Sequence, residues 1–277
     1  MYVYRCEDTL ESIFTAIYRV YEEHRPKDEV LLALDGEPRL FAEELSVVVD
    51  PEKSEKVART LCRRFGMEDY ERVCFALTAA DEEKAQAVYW TIVRGLALPE
   101  RSAKGRLFEG LGDVEVCKAF KLARSAEREC CHLEGFLRFA ELEKGALYAQ
   151  AEMKNNLLPF LMAHFADRFQ EESFLIHDIG REIAGVHYRE AGPEEWFLVK
   201  VGAVRGTGEV VMATEDIAAG GILREGAAVK SGLSGKELYY QELFRQFCQD
   251  IHIRERTNAA LQRQLLPLHF RKYMTEF

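Results

Sequence analysis

Residues 118–139 read KAFKLARSAERECCHLEGFLRF, and the change of character halfway along this stretch decides how the chain is divided. Lys118, Lys121, Arg124 and Arg128 recur at spacings of three, three and four. On a 3.6-residue helix they therefore lie along one side, while Val116, Phe120 and Ala123 point elsewhere. Cys130, Cys131 and His132 follow at once. Gly135 then opens an apolar and aromatic run, Phe136, Leu137, Arg138 and Phe139, of strand composition. The stretch predicts a basic helix that gives way to a strand.

Upstream, residues 2–5 form a short strand. Leu10, Ile13, Phe14, Ile17, Tyr18 and Tyr21 follow at helical spacing, with Asp8 or Thr9 as N-cap. Residues 30–34 are a second strand, closed by the turn dipeptide Asp35-Gly36. Asp50-Pro51 opens a helix through Val57, Leu61 and Phe65 that stops at Gly66, and residues 69–79 and 81–98 add two more. This half reads as a small α/β unit followed by a helical hairpin. Residues 99–113, with three glycines and three basic residues, are a linker or binding loop into the basic helix.

Downstream, residues 136–142 and 146–153 make a hairpin about Lys144-Gly145. A helix from Pro159 carries Leu161, Phe165 and Phe169, and residues 174–179, 182–188 and 196–201 are further strands. They predict an antiparallel sheet with a helix on one face. Residues 202–235 hold eight glycines in 34 positions and suit short strands or a flexible insertion. Residues 234–251 are helical again, and the basic, aromatic stretch 253–277 is broken at Pro267. The fold class is α+β, with a domain of residues 1–98 and a second of residues 99–277.

At 277 residues, 48% of them hydrophobic, the chain can bury a sizeable core. No run approaches the roughly 18 apolar residues of a membrane helix, and residues 1–10 lack the order of a secretory signal, so the expected location is the cytoplasm. Seven scattered cysteines without a CxxC pair predict reduced thiols rather than a disulfide framework. The net charge of −10 is segregated. Residues 1–93 hold 12 basic against 20 acidic side chains and residues 129–244 hold 11 against 19, each a net of −8. Residues 94–128 (8 against 5) and 245–277 (6 against 3) are each +3. If the two basic segments meet, an acidic protein carries one cationic surface of the kind that contacts phosphate; if not, they are two solvated helical faces.

Familiar catalytic signatures are absent: there is no phosphate-binding GxxxxGK[ST], no GxSxG and no HExxH. Cys130-Cys131-His132 are adjacent and lack a second ligand cluster, so small-thiol packing is favoured over a metal site. Gly206-Thr207-Gly208 lacks the third glycine and the βαβ context of a dinucleotide fingerprint. No metal and no cofactor are expected.

Four stretches carry a family resemblance: CEDTLESIFTAIYRVYEEHRP (6–26), RECCHLEGFLRFAEL (128–142), LYAQAEMKNNLLPFLMAHFADRF (147–169) and YYQELFRQFCQDIHIRERTNAALQRQLLPLHFRKYMTEF (239–277). Together the chain resembles the bacterial "probable DNA metabolism protein" family, an uncharacterised group whose domain also occurs fused to a uracil-DNA-glycosylase-like domain. The resemblance implies Arg128, Glu129, Arg138 and Phe139 as motif residues of the central block. It implies Pro159, His164, Phe165, Arg168 and Phe169 in the helix, and Arg254, Arg256, Asn258, Pro267 and Lys272 at the end. Cys131-His132 departs from the His-Arg of the family, and Lys154 stands where an acidic residue is usual. What the resemblance implies is DNA repair or modification beside a radical-SAM iron–sulfur protein; it assigns no catalytic residue.

Three functions follow as expectations. The first is an accessory protein that binds DNA through Lys118, Lys121, Arg124, Arg128, Arg254, Arg256, Arg263 and Arg271. The second is a hydrolytic, glycosylase-like enzyme, with Glu129, His132 or Glu152 as candidates for the acid or base beside a flipped base. The third is a protein-interaction adaptor without nucleic-acid contact.

Overall fold

Strand β1 (Tyr2–Arg5) lies at the centre of a three-stranded sheet, between β2 (Val30–Ala33) and β3 (Glu43–Ser46), and both pairings are parallel. A computed structural model describes residues 1–34, 36–100, 103–189, 195–201, 210–211, 230–251 and 258–276, and the chain forms two compact units, Met1–Glu129 and Cys130–Phe277. Between β1 and β2 runs helix α1 (Leu10–Glu22), where Thr9 accepts the Ser12 N–H at 3.2 Å as N-cap. Helices α2 (Pro51–Phe65), α3 (Met67–Thr78) and α4 (Lys84–Leu96) follow β3. Asp50 caps α2 through the Lys53 N–H, and Gly66 ends it at φ +97, a conformation that disfavours any side chain.

Val3 and Tyr4 are both fully buried, so β1 is covered on its two faces, as parallel sheets require. Ile13, Phe14 and Ile17 of α1, Leu61 and Phe65 of α2, Val73 of α3 and Val88, Tyr89 and Ile92 of α4 complete that core. Helix α4 also finishes the sheet edge. Gln86 Oε1 accepts the Leu32 N–H at 2.8 Å and its Nε2 donates to the Val30 carbonyl at 3.2 Å, standing in for a neighbouring strand.

Asp69 of α3 is buried and accepts the Leu107 N–H at 3.0 Å, which pins the loop before the basic helix. Burial pushes its carboxyl up; the Leu107 amide and Arg72 oppose that shift. The basic helix, α5, runs Val114–Phe136 and turns Ala119 and Ala123 into the first core. The first unit thus extends past the linker expected at residues 99–113, because that loop and the start of α5 pack within it.

The helix continues where a strand was expected. Cys130, Cys131 and His132 stand on α5, and the strand predicted over residues 136–142 shrinks to β4 (Ala140–Glu141). Gly135 is exposed, with open space where a Cβ would stand, and does not break the helix. Arg138 Nη1 donates to the Gly135 and Leu137 carbonyls at 3.1 and 3.3 Å and satisfies the helix end from beyond it.

The second unit holds a five-stranded sheet in the order β4-β5-β6-β7-β8. After β5 (Leu147–Ala151), helix α6 (Leu158–Arg168) leads to β6 (Phe174–Asp178), β7 (Ile183–His187) and β8 (Trp196–Lys200). Three of its four pairings are antiparallel as expected; β5 and β6 are parallel, because a helical connection returns the chain to the same end of the sheet. Short strands β9 (Val210–Val211) and β10 (Lys230–Ser231) pair antiparallel, and the rest of residues 202–229 lies outside the described residues. Helices α7 (Gly235–Asp250), α8 (Ala259–Leu265) and α9 (Leu268–Arg271) close the chain.

Helix α6 packs on the face of the sheet that bears Phe174 and Gly185. Phe139 sits among Phe165, Phe169 and Phe174, its ring centroid 4.9, 5.1 and 5.9 Å from theirs in edge-to-face geometry. Met162 lies directly over Gly185, where a Cβ would fall 2.3 Å from the Met162 sulfur. Among the described residues, no helix is long and apolar enough to cross a membrane.

Candidate functional site

Helix α5 carries the predicted basic row, and the structure separates its members. Lys118 is ion-paired with Asp81 at 3.2 Å and with Glu83, both from the turn before α4. Its partial burial lowers its pKa, but the bonds to Glu83 and Asp81 outweigh that and raise it, so this charge is spent inside the fold. Lys121, Arg124 and Arg128 are exposed and make no ion pair among the described residues. At 100° per residue they fall within an arc of about 60°. Elsewhere in the same unit the usual state of a cation is paired: Arg5 with Glu44, Arg19 with Glu23, Lys53 with Glu22, Arg72 with Glu68, Arg94 with Asp113 and Arg106 with Glu109. Beside the row is a shallow depression of about 490 Å³ with Leu111, Val114, Cys117 and Leu122 in its wall and Lys121 at its side.

Several C-terminal candidates are placed otherwise. Arg254 and Arg256 lie outside the described residues. Arg263 is exposed on α8 and donates Nε to the Ala259 carbonyl at 3.1 Å; Arg271 is half-buried at the end of α9. The catalytic candidates do not converge. His132 is packed against Phe136 and Phe270, each ring 5.7 Å away, and exposed Glu152 pairs with Lys272 at 3.6 Å. Glu129 is half-buried on α5. Cys130 is buried with its Sγ 3.5 Å from Glu134, whereas Cys131 is exposed, so consecutive helical positions aim the three side chains apart. No group of three or more metal-ligating side chains occurs among the described residues.

The motif residues of the resemblance mostly hold structure. Arg138 pairs with Glu276 at 2.7 Å, Phe139 centres the aromatic cluster, and Pro159 lies in the first turn of α6. Asn258 caps α8 by accepting the Leu261 N–H at 3.0 Å, and Pro267 precedes α9. Lys272 reaches over the Tyr273 ring as well as to Glu152. His164 and Arg168 are exposed on α6, with His164 Nδ1 4.0 Å from Glu134.

A buried polar pair escaped the sequence reading. On the sheet face opposite α6, the Tyr148 hydroxyl lies 3.0 Å from His177 Nδ1 and donates to Gln150 Oε1 at 3.2 Å. Only the β5–β6 register, which sets Gln150 beside His177, brings them together. Burial, with Tyr273 nearby, pushes the Tyr148 phenol up to about 12. Burial also lowers His177, although Asp178 and Glu182 pull the other way. The fold therefore prefers neutral imidazole. Stability from this group is complete above the unfolded value of about 6.5 and is lost as pH falls through it toward the lowered folded value. Melting curves followed by circular dichroism between pH 7 and 5 are expected to fall more steeply for wild type than for His177→Gln, and parallel curves would refute the assignment.

Residues 82–276 match a family described as a Domain of unknown function (DUF4130). No curated protein and no solved structure matches the chain.

Proposed function

The chain belongs to the DUF4130 family, whose description names no activity, and from the charge on α5 we propose an accessory protein of DNA repair or modification that binds a nucleic-acid backbone. The observation that supports this reading is the row Lys121, Arg124 and Arg128: three exposed cations on one arc, unpaired among the described residues of a unit whose other cations mostly find carboxylates. Leaving like charges together is unfavourable unless an anion joins them, and a phosphate backbone supplies anions at regular spacing. A radical-SAM iron–sulfur protein is the proposed enzyme partner, on the family resemblance alone. The hydrolytic alternative has less support, since His132 is packed between two phenylalanines and Glu152 is engaged by Lys272.

Affinity for DNA, measured by fluorescence anisotropy over a range of salt, tests the proposal. Each phosphate-bound cation adds about one to the slope of log affinity against log salt, so Lys121→Glu combined with Arg124→Glu should flatten that slope by about two. Lys118→Gln, a change to a paired cation, should leave it unaltered. Absence of binding at low salt, or a slope indifferent to the double reversal, removes the proposal.

A further inference from the structure

Helix α7 is amphipathic the wrong way round. Hydrogen bonds tie it to the rest of the second unit: Ser234 Oγ bonds Glu141 at 2.9 Å, Glu237 accepts the Glu141 N–H at 3.1 Å, and Arg245 Nε donates to the Thr275 carbonyl at 3.1 Å. The half-buried positions of the helix are Glu237, Gln241 and Cys248, and no residue of it is buried. Beside that face run Tyr240, Leu243, Phe244, Phe247 and Ile251, at the spacing of one helical stripe and between 41% and 61% exposed, with Tyr239 at the margin and exposed Leu238 off the stripe. Isolated exposed apolar residues are ordinary, but a continuous stripe of five is the mark of an interface.

We infer that this stripe is a two-fold interface at which α7 packs antiparallel against α7 of a second copy of the chain. Positions 236, 240, 243, 247 and 250 follow the alternating four-and-three spacing of a helix–helix seam. The ends of that seam are Lys236 and Asp250, both exposed, neither in an ion pair among the described residues, and each seven positions from Leu243. An antiparallel pair with its axis at Leu243 sets Lys236 of each copy against Asp250 of the other and Tyr240 toward Phe247. A two-fold interface needs such self-complementarity, and opposite charges at equal distances from an apolar centre provide it. Six large side chains supply several hundred square ångströms, the greater part of the roughly 800 Å² that each partner of a stable interface buries.

Sedimentation equilibrium of the full chain across a concentration series is the test. The wild type should dimerise. Phe247→Glu should be a monomer, and Lys236→Glu or Asp250→Lys alone should weaken the dimer about tenfold, because each sets like charges together at both ends. Mixing those two charge variants should restore association, since the heterodimer again has opposite charges at both ends. A wild type that stays monomeric assigns the stripe to another partner and overturns the inference. So does a dimer that none of these changes weakens, or one that mixing fails to restore.

Discussion

Phe174→Ala should destabilise the second unit by about 3–5 kcal/mol, the range for removing a fully buried phenylalanine whose neighbours cannot close the gap. Phe174 is 1% exposed. Its ring meets Phe139 and Phe169 edge-on at 5.9 and 6.0 Å and stacks on His187 at 5.0 Å. Those neighbours are themselves fixed, Phe139 by Phe165 and His187 by the Glu172 carbonyl at 3.2 Å from Nδ1, so the cavity persists. Urea unfolding should show the loss in the transition of the second unit, with that of the first unit unmoved. A change below about 1 kcal/mol would mean that the aromatic cluster relaxes into the gap.

Gly185→Val should destabilise the same unit by about 1–3 kcal/mol or more for the opposite reason, too much matter rather than too little. A Cβ at residue 185 would stand 2.4 Å from Met162 Cγ as well as 2.3 Å from its sulfur, so the middle of that side chain, not only its tip, must move. Met162 is fully buried and has nowhere to go. Met162→Ala is destabilising by itself, yet added to Gly185→Val it should return part of the loss. A double-mutant cycle would then show a favourable coupling, where two independent defects would simply add.

The elements set by local chemistry were legible in the sequence. Asp50-Pro51 and Gly66 bound α2, and Thr9, one of the two caps expected for α1, is the one used, because caps and breakers act within a few residues of themselves. Strand β3 was missed: Glu43-Glu44-Leu45-Ser46 is a largely exposed edge without an alternating apolar pattern, and only the parallel pairing to β1 makes it a strand. The parallel β5–β6 pair was available in principle, since a strand, a helix and a strand in succession favour parallel return. Phe136 to Phe139 read as strand because aromatic composition does not distinguish a pleat from a plug, and here Phe136 meets Phe270 and Phe139 fills the α6 cluster.

The candidate site was legible in its period and not in its partners. Spacing alone put four cations on one side of α5; only the fold could bring Asp81 and Glu83 to Lys118, from positions at least 35 residues earlier. The Tyr148–His177 pair was invisible for the same reason, as its members are 29 residues apart and meet through strand register.

Gln86 also decides where the sheet stops growing. With the Leu32 amide and Val30 carbonyl both taken by one side chain, the outer edge of β2 offers an incoming strand no adjacent free groups to template on. At the opposite edge, β3 is only four residues long and its Glu43 and Glu44 are tied to Arg25 and Arg5, charged groups that an added strand would have to desolvate. The three-stranded sheet is thus finished on one side by hydrogen bonds and on the other by a short charged edge, and strand-by-strand addition through this unit is disfavoured at both ends.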